Sequence, residues 1–519
     1  MECEKRNFQV YRQGRTALDQ FYMDEDYNVP DAKSDVKRVI LSEGNVHIED
    51  MSLAENYVRV QGNLKFRILY AADEEIQGLA SMEGSLPFEE MVYMEEPPME
   101  NLFLKSAQAD LAVSAVHSRK LNIHAVVELQ ISSEGREEME LTADAKGEET
   151  LYKKYRTEQI LKLFAVRKDT CRIREEAQIG GMQESIGSLL WTDLGSRKLD
   201  TRVGMDELLL QGELLLFCFY ESPEGKTDWI EQTLPYEGRM ECQGAQDSMY
   251  HQIYPELKDV HIEARMDENG EMRLLGVEAV IEARIVLYEE EEMNLLEDLY
   301  SLKQVCAPRR RSVVPEQLLM QNHSKCKVTE RLSLPEIQDD ILQICHSGGR
   351  IQLENVSPQE EGLSIEGVLH VSFLYVKADD ALPFDVWQGM VPFSYLLESN
   401  ATSPDMESDL TCGVEQLAVG LLGNGEVEVK AVLAFNSFLR KPVPIENIEE
   451  VETRPEDLRE IENRPGIIGY VIREGDELWD LAKRYHTTVE GIQQINGIED
   501  SKVKPGEKLL IFKENMGIL

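Results

Sequence analysis

One pattern of landmark residues occurs three times along the chain and constrains the fold most. Each copy has a glycine with aliphatic residues four and two positions before it, leucine two positions after it and tyrosine eight positions after it; the glycines are Gly62, Gly212 and Gly367. The alternating apolar residues predict a strand with one buried face. The glycine within that strand predicts a β-bulge or a close approach by another backbone.

Two further landmarks keep their spacing in all three copies. A proline follows each glycine by 25, 23 and 25 residues, and an alanine in another alternating run follows it by 63, 67 and 64 residues. Short alternating strands separated by turn residues are typical of a β-sandwich. We therefore predict a mainly β protein with three sandwich-like domains, at residues 1–149, 150–306 and 307–440.

The segments between the copies carry their own predictions. The apolar spacing over 150–166 predicts a connecting helix between the first two domains. The basic run 307–312 is expected to be a solvated linker at the start of the third domain. Residues 441–466 are rich in proline and glutamate, which predicts an extended, self-repelling tether.

Composition limits the partners of the chain. Its 519 residues include 97 acidic and 54 basic ones, a net charge of −43, which disfavours nucleic acids and anionic membrane surfaces. The first residues lack the apolar core of a secretory signal and no window is long enough for a membrane span, so we expect a cytosolic protein. Eight cysteines without a CxxC pair are then expected to be reduced thiols.

The C-terminal part, residues 467–514, has a different pattern. Val471 begins a short strand, Gly475 turns the chain and Asp476 is placed to cap a helix. Apolar residues at helical spacing predict two helices, and an apolar run before the C-terminus returns as a second strand. The first helix is expected to bury Leu478, Leu481, Ala482 and Tyr485, and the second Val489, Ile492 and Ile495. The pattern predicts a β-α-α-β unit.

This unit resembles the LysM domain over its whole length. The resemblance implies a shallow groove for glycans that contain N-acetylglucosamine, formed by Gly475, Asp476, Glu477, Leu478, Trp479, Ile495, Asn496 and Gly497. Glycan-binding LysM domains usually have a small hydroxyl residue where Glu477 stands, so the carboxylate favours a protein ligand over a sugar. Trp479 follows the buried Leu478 and lies off the buried face, which predicts either core packing or a partner contact. Ile467 is likewise edge packing or contact surface.

The whole arrangement resembles the SipL-type family of spore coat morphogenetic proteins, in which SPOCS domains precede one LysM domain. The segments 28–31 and 333–336 fit the family pattern at the start of a repeat, whereas 178–180 departs from it. The resemblance implies synthesis in the mother cell and a place at the forespore surface. It also implies that the LysM domain binds the coat-basement ATPase of stage IV sporulation, with other coat proteins as candidate partners of the repeats.

The alternative hypothesis is a peptidoglycan- or chitin-type glycan-binding protein, or a cell-wall hydrolase targeted by its LysM domain. Nine histidines show no HxH or HExxH spacing, and His486, after the first LysM helix, is expected at the surface. Cys345 and His346 are adjacent, which alone makes no catalytic dyad. Without a P-loop or dinucleotide motif, we expect no enzyme activity, no catalytic residues, no metal site and no cofactor.

Overall fold

A computed structural model describes residues 1–73, 78–338, 340–378, 383–399, 403–456, 465–498 and 503–513. About three quarters of the chain lies in β-strands, which pair antiparallel, and the two α-helices of the described residues are both near the C-terminus. The predicted mainly β fold class is confirmed. Within the ranges just given, no helix is long and apolar enough to cross a membrane.

Each repeat contains six long strands. The first repeat and the strand before it are β1 (Glu2–Gln13), β2 (Ala17–Asn28), β3 (Val36–Ala54), β4 (Tyr57–Ala72), β5 (Leu79–Tyr93), β6 (Asn101–His117) and β7 (Lys120–Lys146). The second is β8 (Tyr152–Gln178), β9 (Ser188–Val203), β10 (Glu207–Glu221), β11 (Thr227–Glu241), β12 (Tyr250–Met266) and β13 (Met272–Tyr300). The third and its flanking strands are β14 (Gln304–Val313), β15 (Glu316–Ser333), β16 (Ile341–Gln359), β17 (Gly362–Lys377), β18 (Phe384–Glu398), β19 (Glu407–Gly423), β20 (Glu426–Pro442) and β21 (Ile445–Pro455).

Each repeat contributes three strands to each of two sheets. One sheet is a separate meander, β3-β4-β5, β9-β10-β11 or β16-β17-β18. The other has the local order β2-β7-β6, β8-β13-β12 or β15-β20-β19; β1 also pairs with β7, and β8 pairs with β15, which joins the second and third repeats in one six-stranded sheet. The sheets bury their facing apolar residues against one another, as in a sandwich. In the first repeat these include Val58, Val60 and Leu64 of β4 and Ala125, Val127 and Leu129 of β7. The predicted sandwich-like architecture is therefore present in the structure.

The landmark glycines lie on the central strands of the three meanders. Each is paired with an aromatic residue on the next strand: Gly62 with Phe88, Gly212 with Tyr236 and Gly367 with Phe393. A Cβ on Gly62 would lie 2.6 Å from the carbonyl oxygen of His47, and one on Gly367 would lie 2.4 Å from that of Gln352. The ladder also shifts register beside each glycine. The predicted bulge occurs at all three glycines, and a close approach by another backbone accompanies it at Gly62 and Gly367, whereas at Gly212 the close neighbour is the Tyr236 side chain.

The helix predicted over 150–166 is wrong, because this segment belongs to β8. Its backbone pairs with β13 from Tyr152 opposite Tyr300 to Gln178 opposite Leu274, so the cross-strand ladder takes the place of helical hydrogen bonds. Lys162 also bridges Glu289 and Glu291 across the ladder at 3.1 and 2.5 Å. Long-range pairing has overridden a local helical pattern, as tertiary context often does.

The two predicted linkers are also wrong in part, because segments of them pair with each other as strands. The basic run 307–312 is part of β14, and residues 445–455 of the acidic segment form β21. Arg309 lies 3.2 Å from Glu449 and 3.3 Å from Glu450, while Ile448 and Val451 are buried. Opposite charges and buried apolar side chains explain why these polar segments form strands. The part of the tether at 457–464 lies outside the described residues.

Three two-stranded ribbons pack together into one element, which we call the stalk. It consists of β1 with residues 134–146 of β7, residues 152–163 of β8 with residues 288–300 of β13, and β14 with β21. All three ribbons contribute to a shared core that contains Phe8, Val10, Met139, Leu141, Ile160, Met293, Leu295 and Ile445. A second shared core joins the meander sheets of the three repeats through Leu69, Trp191, Phe217, Phe219, Leu374 and Phe384. The repeats therefore form one body.

Candidate functional site

The C-terminal module has the predicted β-α-α-β order. It consists of β22 (Ile467–Val471), α1 (Leu478–Tyr485), α2 (Val489–Asn496) and β23 (Lys508–Phe512), and β22 pairs antiparallel with β23. Its core contains Ile472, Leu478, Leu481, Ala482, Ile492, Leu509 and Ile511. The expectation that Ile495 is buried is wrong, because this residue near the end of α2 is 44% exposed.

The turn before α1 is held by Asp476, although not as predicted. Gly475 has a φ of +85°, which favours glycine because it has no side chain to clash. One carboxylate oxygen of Asp476 accepts hydrogen bonds of 2.8 Å from the backbone N–H of Arg473 and from the hydroxyl of Tyr470. The helix N-cap is Glu477, and its side chain makes no capping hydrogen bond. Asp476 therefore stabilises the turn before the helix by accepting from the N–H of Arg473, and it does not cap α1.

The first helix of the module docks on the stalk. The indole N–H of Trp479 donates to Asp298 of β13 at 2.9 Å, and the ring packs edge-on against Tyr300 with centroids 4.9 Å apart. Lys483, one turn along α1, donates to both oxygens of Asp298 at 2.7 and 2.8 Å. Of the two interpretations of Trp479, packing describes this conformation, against an apolar cluster that the module core shares with Tyr300 of the stalk. A role in partner binding stays a prediction.

The loop between the helices completes this contact. The hydroxyl of Tyr300 donates to the carbonyl of Thr487 at 3.0 Å, and Nε2 of His486 donates to the carbonyl of Leu302 at 2.8 Å. His486 is 3% exposed, so the expectation that it lies at the surface is wrong. The reason is that the stalk covers this loop. The module is consequently packed against the repeats and is not held apart from them by an extended tether.

Glu477 also faces the stalk. Its carboxylate lies 2.8 Å from the ammonium of Lys154 on β8. Hydrogen bonding to Glu477 is the largest influence that raises the pKa of Lys154 above its ordinary value. Leu478 is buried, and Trp479 and Glu477 both contact the stalk. This side of the predicted groove is therefore occupied by contacts within the chain.

The second half of the predicted groove serves the module's own sheet. The side-chain amide of Asn496 donates to the carbonyl of Leu510 at 2.7 Å, and its oxygen accepts from the N–H of Leu510 at 2.8 Å. Gly497 ends α2 with a φ of +64°. Asn496 also donates to the carbonyl of Ile492 in α2 at 2.8 Å, so its hydrogen bonds stay within the module, whereas the side chains of Glu477 and Trp479 bond to the stalk.

An exposed apolar face lies on the sheet of the module, on the side away from its core. We call it the β22–β23 face; it comprises Ile467, Gly469, Val471, Lys508, Leu510 and Phe512. Ile467, Val471 and Leu510 are 60%, 52% and 51% exposed. Sequence analysis identified only Ile467 here. The signal that could have found the others is the apolar character of both faces of each strand, since a half-buried strand normally alternates apolar with polar residues.

The adjacent Cys345 and His346 of the third repeat make contacts that stabilise the fold and do not form a pair with each other. Burial raises the pKa of the Cys345 thiol to about 12, so it remains protonated near neutral pH. The adjacent His346 turns to the second repeat, where Nε2 lies 3.1 Å from Asp193 and Nδ1 lies 3.1 Å from Glu231. All eight cysteines are free thiols. In the described part of the chain, no three His, Cys, Asp or Glu side chains are grouped as a metal site would require.

Comparison with known proteins identifies both kinds of domain. The family described as SipL, SPOCS domain matches residues 35–116, 185–265 and 340–422. The LysM domain family matches residues 470–512. No curated protein and no solved structure matches the chain. The three SPOCS matches cover the meander sheet and the strand after it in each repeat, the region that contains the landmark glycines.

Proposed function

The chain is of the SipL type, with three SPOCS domains followed by a LysM domain, and on that premise we propose that it is a non-enzymatic scaffold for endospore coat assembly. Its domains fit a sporulation-related or a glycan-binding protein. In the proposed function the LysM domain binds the coat-basement ATPase of stage IV sporulation. This contact tethers the coat to the forespore surface within the mother cell.

The observation that carries the proposal is the exposed β22–β23 face. Contiguous exposed apolar side chains on a soluble domain mark surfaces that bind other proteins. Here Ile467, Val471, Leu510 and Phe512 lie side by side on paired strands and remain exposed while the opposite side of the domain contacts the stalk. A protein partner can therefore bind without undocking the LysM domain.

The state of the groove supports a protein ligand over a glycan. Sugar binding needs an open groove lined by free polar groups and an aromatic face. On one side of this groove, Glu477 is paired with Lys154 and Trp479 is packed on Tyr300. A glycan would have to displace these contacts first.

The charge of the LysM domain also supports a protein partner. Residues 470–513 contain eight acidic and seven basic residues, whereas the whole chain has a net charge of −43. A nearly neutral domain on a strongly acidic chain can approach an acidic protein surface without the repulsion that the repeats would meet. The repeats themselves remain available for further coat proteins, and several binding surfaces on one chain raise the effective concentration at a coated surface.

Glycan binding is the second candidate, and the LysM match over residues 470–512 is the observation that favours it. The candidate includes a wall hydrolase targeted by this domain. A hydrolase needs an activated nucleophile or a catalytic pair in a cleft. The Cys345 thiol has a raised pKa and His346 is held by two carboxylates of another repeat, which supports a structural role for both.

Binding to two immobilised ligands separates these functions. The full-length protein is tested for capture by the purified ATPase and, separately, for sedimentation with insoluble peptidoglycan. We expect capture by the ATPase. Leu510→Asp should weaken it by about 2 kcal/mol or more, the magnitude of an interface hot spot. The matched control is Leu422→Asp, a similarly exposed leucine on β19 of the third repeat, which should bind as the wild type does.

Two results would contradict the proposal. Sedimentation with peptidoglycan in the absence of ATPase capture would favour the glycan-binding candidate. Equal loss of capture in Leu510→Asp and Leu422→Asp would mean that the β22–β23 face is not the specific contact.

A further inference from the structure

The main chain of β22 has one edge that faces away from β23. Residues 466 and 472 exchange hydrogen bonds with the β23 side, since Lys513 N–H donates to the Gly466 carbonyl and Ile472 N–H donates to the Glu507 carbonyl. In an antiparallel ladder the residues that bond to the neighbour alternate with residues that point away. The N–H and C=O groups of Ile467, Gly469 and Val471 therefore point to the outer edge.

The other edge of this two-stranded sheet is closed. Leu510 lies opposite Gly469, and its N–H and C=O point away from β22 to the side chain of Asn496, which donates to one and accepts from the other. This contact also confirms the alternation, because the main chain of Leu510 could not reach Asn496 if it were bonded to Gly469. For residues 465–498 and 503–513, no comparable partner bonds to the outward groups of Ile467, Gly469 or Val471.

The side chains at this edge leave it accessible. Natural proteins protect edge strands with proline, lysine, bulges or a covering element, because an open edge pairs with other strands. β22 contains neither proline nor lysine, and its outward residues are exposed. Gly469 at the centre has no atom within 4 Å of where its Cβ would be. The β22–β23 face is therefore open above the middle of β22, on the side where the side chains of an added strand would lie.

The chemistry of the face indicates the kind of strand that fits. The β22–β23 face is apolar except for one ionisable residue, Lys508, which lies opposite Val471 in the ladder. A partner strand with apolar residues at alternate positions and a carboxylate near Lys508 would complement both features. A second copy fits less well. Each copy has a charge of −43, so two copies would repel one another.

We propose that the LysM domain binds its protein partner by strand addition, with an extended segment of the partner pairing along the outer edge of β22. The inference rests on the proposed function, because it describes how the LysM domain holds the coat-basement ATPase. The new strand would make β22 the centre of a three-stranded sheet. Backbone hydrogen bonds would supply affinity, and the β22–β23 face would select the side chains.

Substitution of Gly469 tests this mode directly. Gly469→Pro removes only an outward N–H, so the ladder between β22 and β23 keeps its hydrogen bonds, and proline is tolerated at strand edges. Gly469→Ala is the matched control, because it retains the N–H and its Cβ enters open space. With purified ATPase and full-length protein, we expect Gly469→Pro to weaken binding at least about tenfold, whereas Gly469→Ala binds as the wild type does.

Amide hydrogen exchange provides a second measurement that needs no variant. The amides of Ile467, Gly469 and Val471 should exchange rapidly in the free protein and become protected when the ATPase is added. Ile468 and Tyr470, whose amides face β23, should be protected in both states. Binding of the ATPase without new protection at the three outward amides would overturn strand addition and leave the proposed function intact.

The remaining outcomes are equally informative. Failure of the wild type to bind the ATPase overturns the proposed function and the inference together. Protection of the outward amides without the ATPase, increasing with protein concentration and accompanied by a dimer in light scattering, identifies a second copy as the occupant and overturns the inference alone.

Discussion

The indole N–H of Trp479 donates a hydrogen bond of 2.9 Å to Oδ2 of Asp298, and this contact joins the LysM domain to the stalk. The same carboxylate accepts hydrogen bonds from Lys483 at 2.7 and 2.8 Å and from Arg310 at 3.0 Å. The Asp298 side chain is 14% exposed. Three donors from two parts of the chain therefore depend on one largely buried acceptor.

We expect Asp298→Ala to weaken the docking of the LysM domain by about 2–4 kcal/mol, because Lys483 and the indole lose a common buried acceptor. Small-angle X-ray scattering should then show a larger radius of gyration. Binding of the ATPase should persist, since the β22–β23 face is unaffected. Asn294→Ala, an exposed position on the same strand, is the control. A radius of gyration that is equal in both variants would contradict the docking contact.

The docking of the LysM domain on the stalk is also expected to weaken at low pH. Burial raises the pKa of Asp298, but the hydrogen bonds from Lys483 and Trp479 outweigh it and hold the pKa below its ordinary value. A carboxyl group of this kind stabilises the folded contact above the unfolded pKa of about 3.9 and loses that contribution as the pH falls through the folded pKa. Scattering measured during an acid titration should show undocking below about pH 4. Asp298→Asn should lack this step.

A second pH dependence is expected between the second and third repeats. His346 stacks on Phe217 with centroids 4.0 Å apart, and its hydrogen bonds to Asp193 and Glu231 act against burial. Burial, the largest influence, lowers the pKa, but the two carboxylates outweigh it and raise the pKa to about 9. The stabilisation is full below the unfolded pKa of about 6.5 and is lost as the pH rises through about 9.

This loss can be measured as the pH slope of stability. We expect the free energy of unfolding to fall by about 1–2 kcal/mol between about pH 6.5 and 9.5, less than the pKa shift alone implies, because the two carboxylates are partly exposed. His346→Gln should flatten the slope. His261→Gln, at an exposed histidine on β12, should not change it. Equal slopes for the wild type and His346→Gln would show that the contacts of His346 with Asp193 and Glu231 do not contribute to the pH dependence of stability.

The landmark glycines should be intolerant of any side chain. In Gly367→Ala the new Cβ would lie 2.4 Å from the Gln352 carbonyl oxygen and 3.0 Å from the Phe393 ring. Since backbone atoms cannot move aside cheaply, we expect a loss of about 2–3 kcal/mol in the free energy of unfolding. Gly413→Ala on β19 of the same repeat is the control, because its Cβ would meet no atom within 4 Å. Chemical denaturation of both variants checks the difference.

A buried ion cluster links the three repeats and should be sensitive to the loss of its central cation. Arg440 of the third repeat donates to Glu316 and Asp409 at 2.8 Å each; Glu316 also accepts from Arg12 at 2.9 Å and Asp409 from Tyr254 at 3.4 Å. We expect Arg440→Met to cost about 3–5 kcal/mol, because two buried carboxylates lose their partner. The exposed control Arg331→Met should be close to neutral in thermal unfolding. Equal melting temperatures for Arg440→Met and Arg331→Met would show that the buried cluster does not stabilise the fold.

Local features of the sequence were sufficient to predict the strands of the repeat and the element order of the LysM domain. The glycine strands follow from alternation, and the aromatic residue that covers each glycine comes directly after the landmark proline in all three repeats. The turn at Gly475 and the two short helices follow from their own spacing. In these cases the interactions that decide the structure lie within one domain.

The stalk and the docked LysM domain could not be predicted in the same way. β14 and β21 pair across the whole third repeat, so neither segment shows in its composition that its charges are matched by the other. The helical spacing places Trp479 off the buried face of α1, and only the position of Asp298 at the end of β13 places an acceptor beside it. Contacts between distant segments have no local signal, and composition then favours a linker or an exposed surface.

The most direct test of the account follows a fluorescent fusion of the chain during sporulation. The full-length fusion is expected to surround the forespore in cells that contain the coat-basement ATPase, and a fusion that ends at residue 456 is expected to remain spread through the mother cell. A full-length fusion that collects at the cell wall, or a truncated fusion that still surrounds the forespore, would contradict the claim that the LysM domain tethers this scaffold through a protein partner.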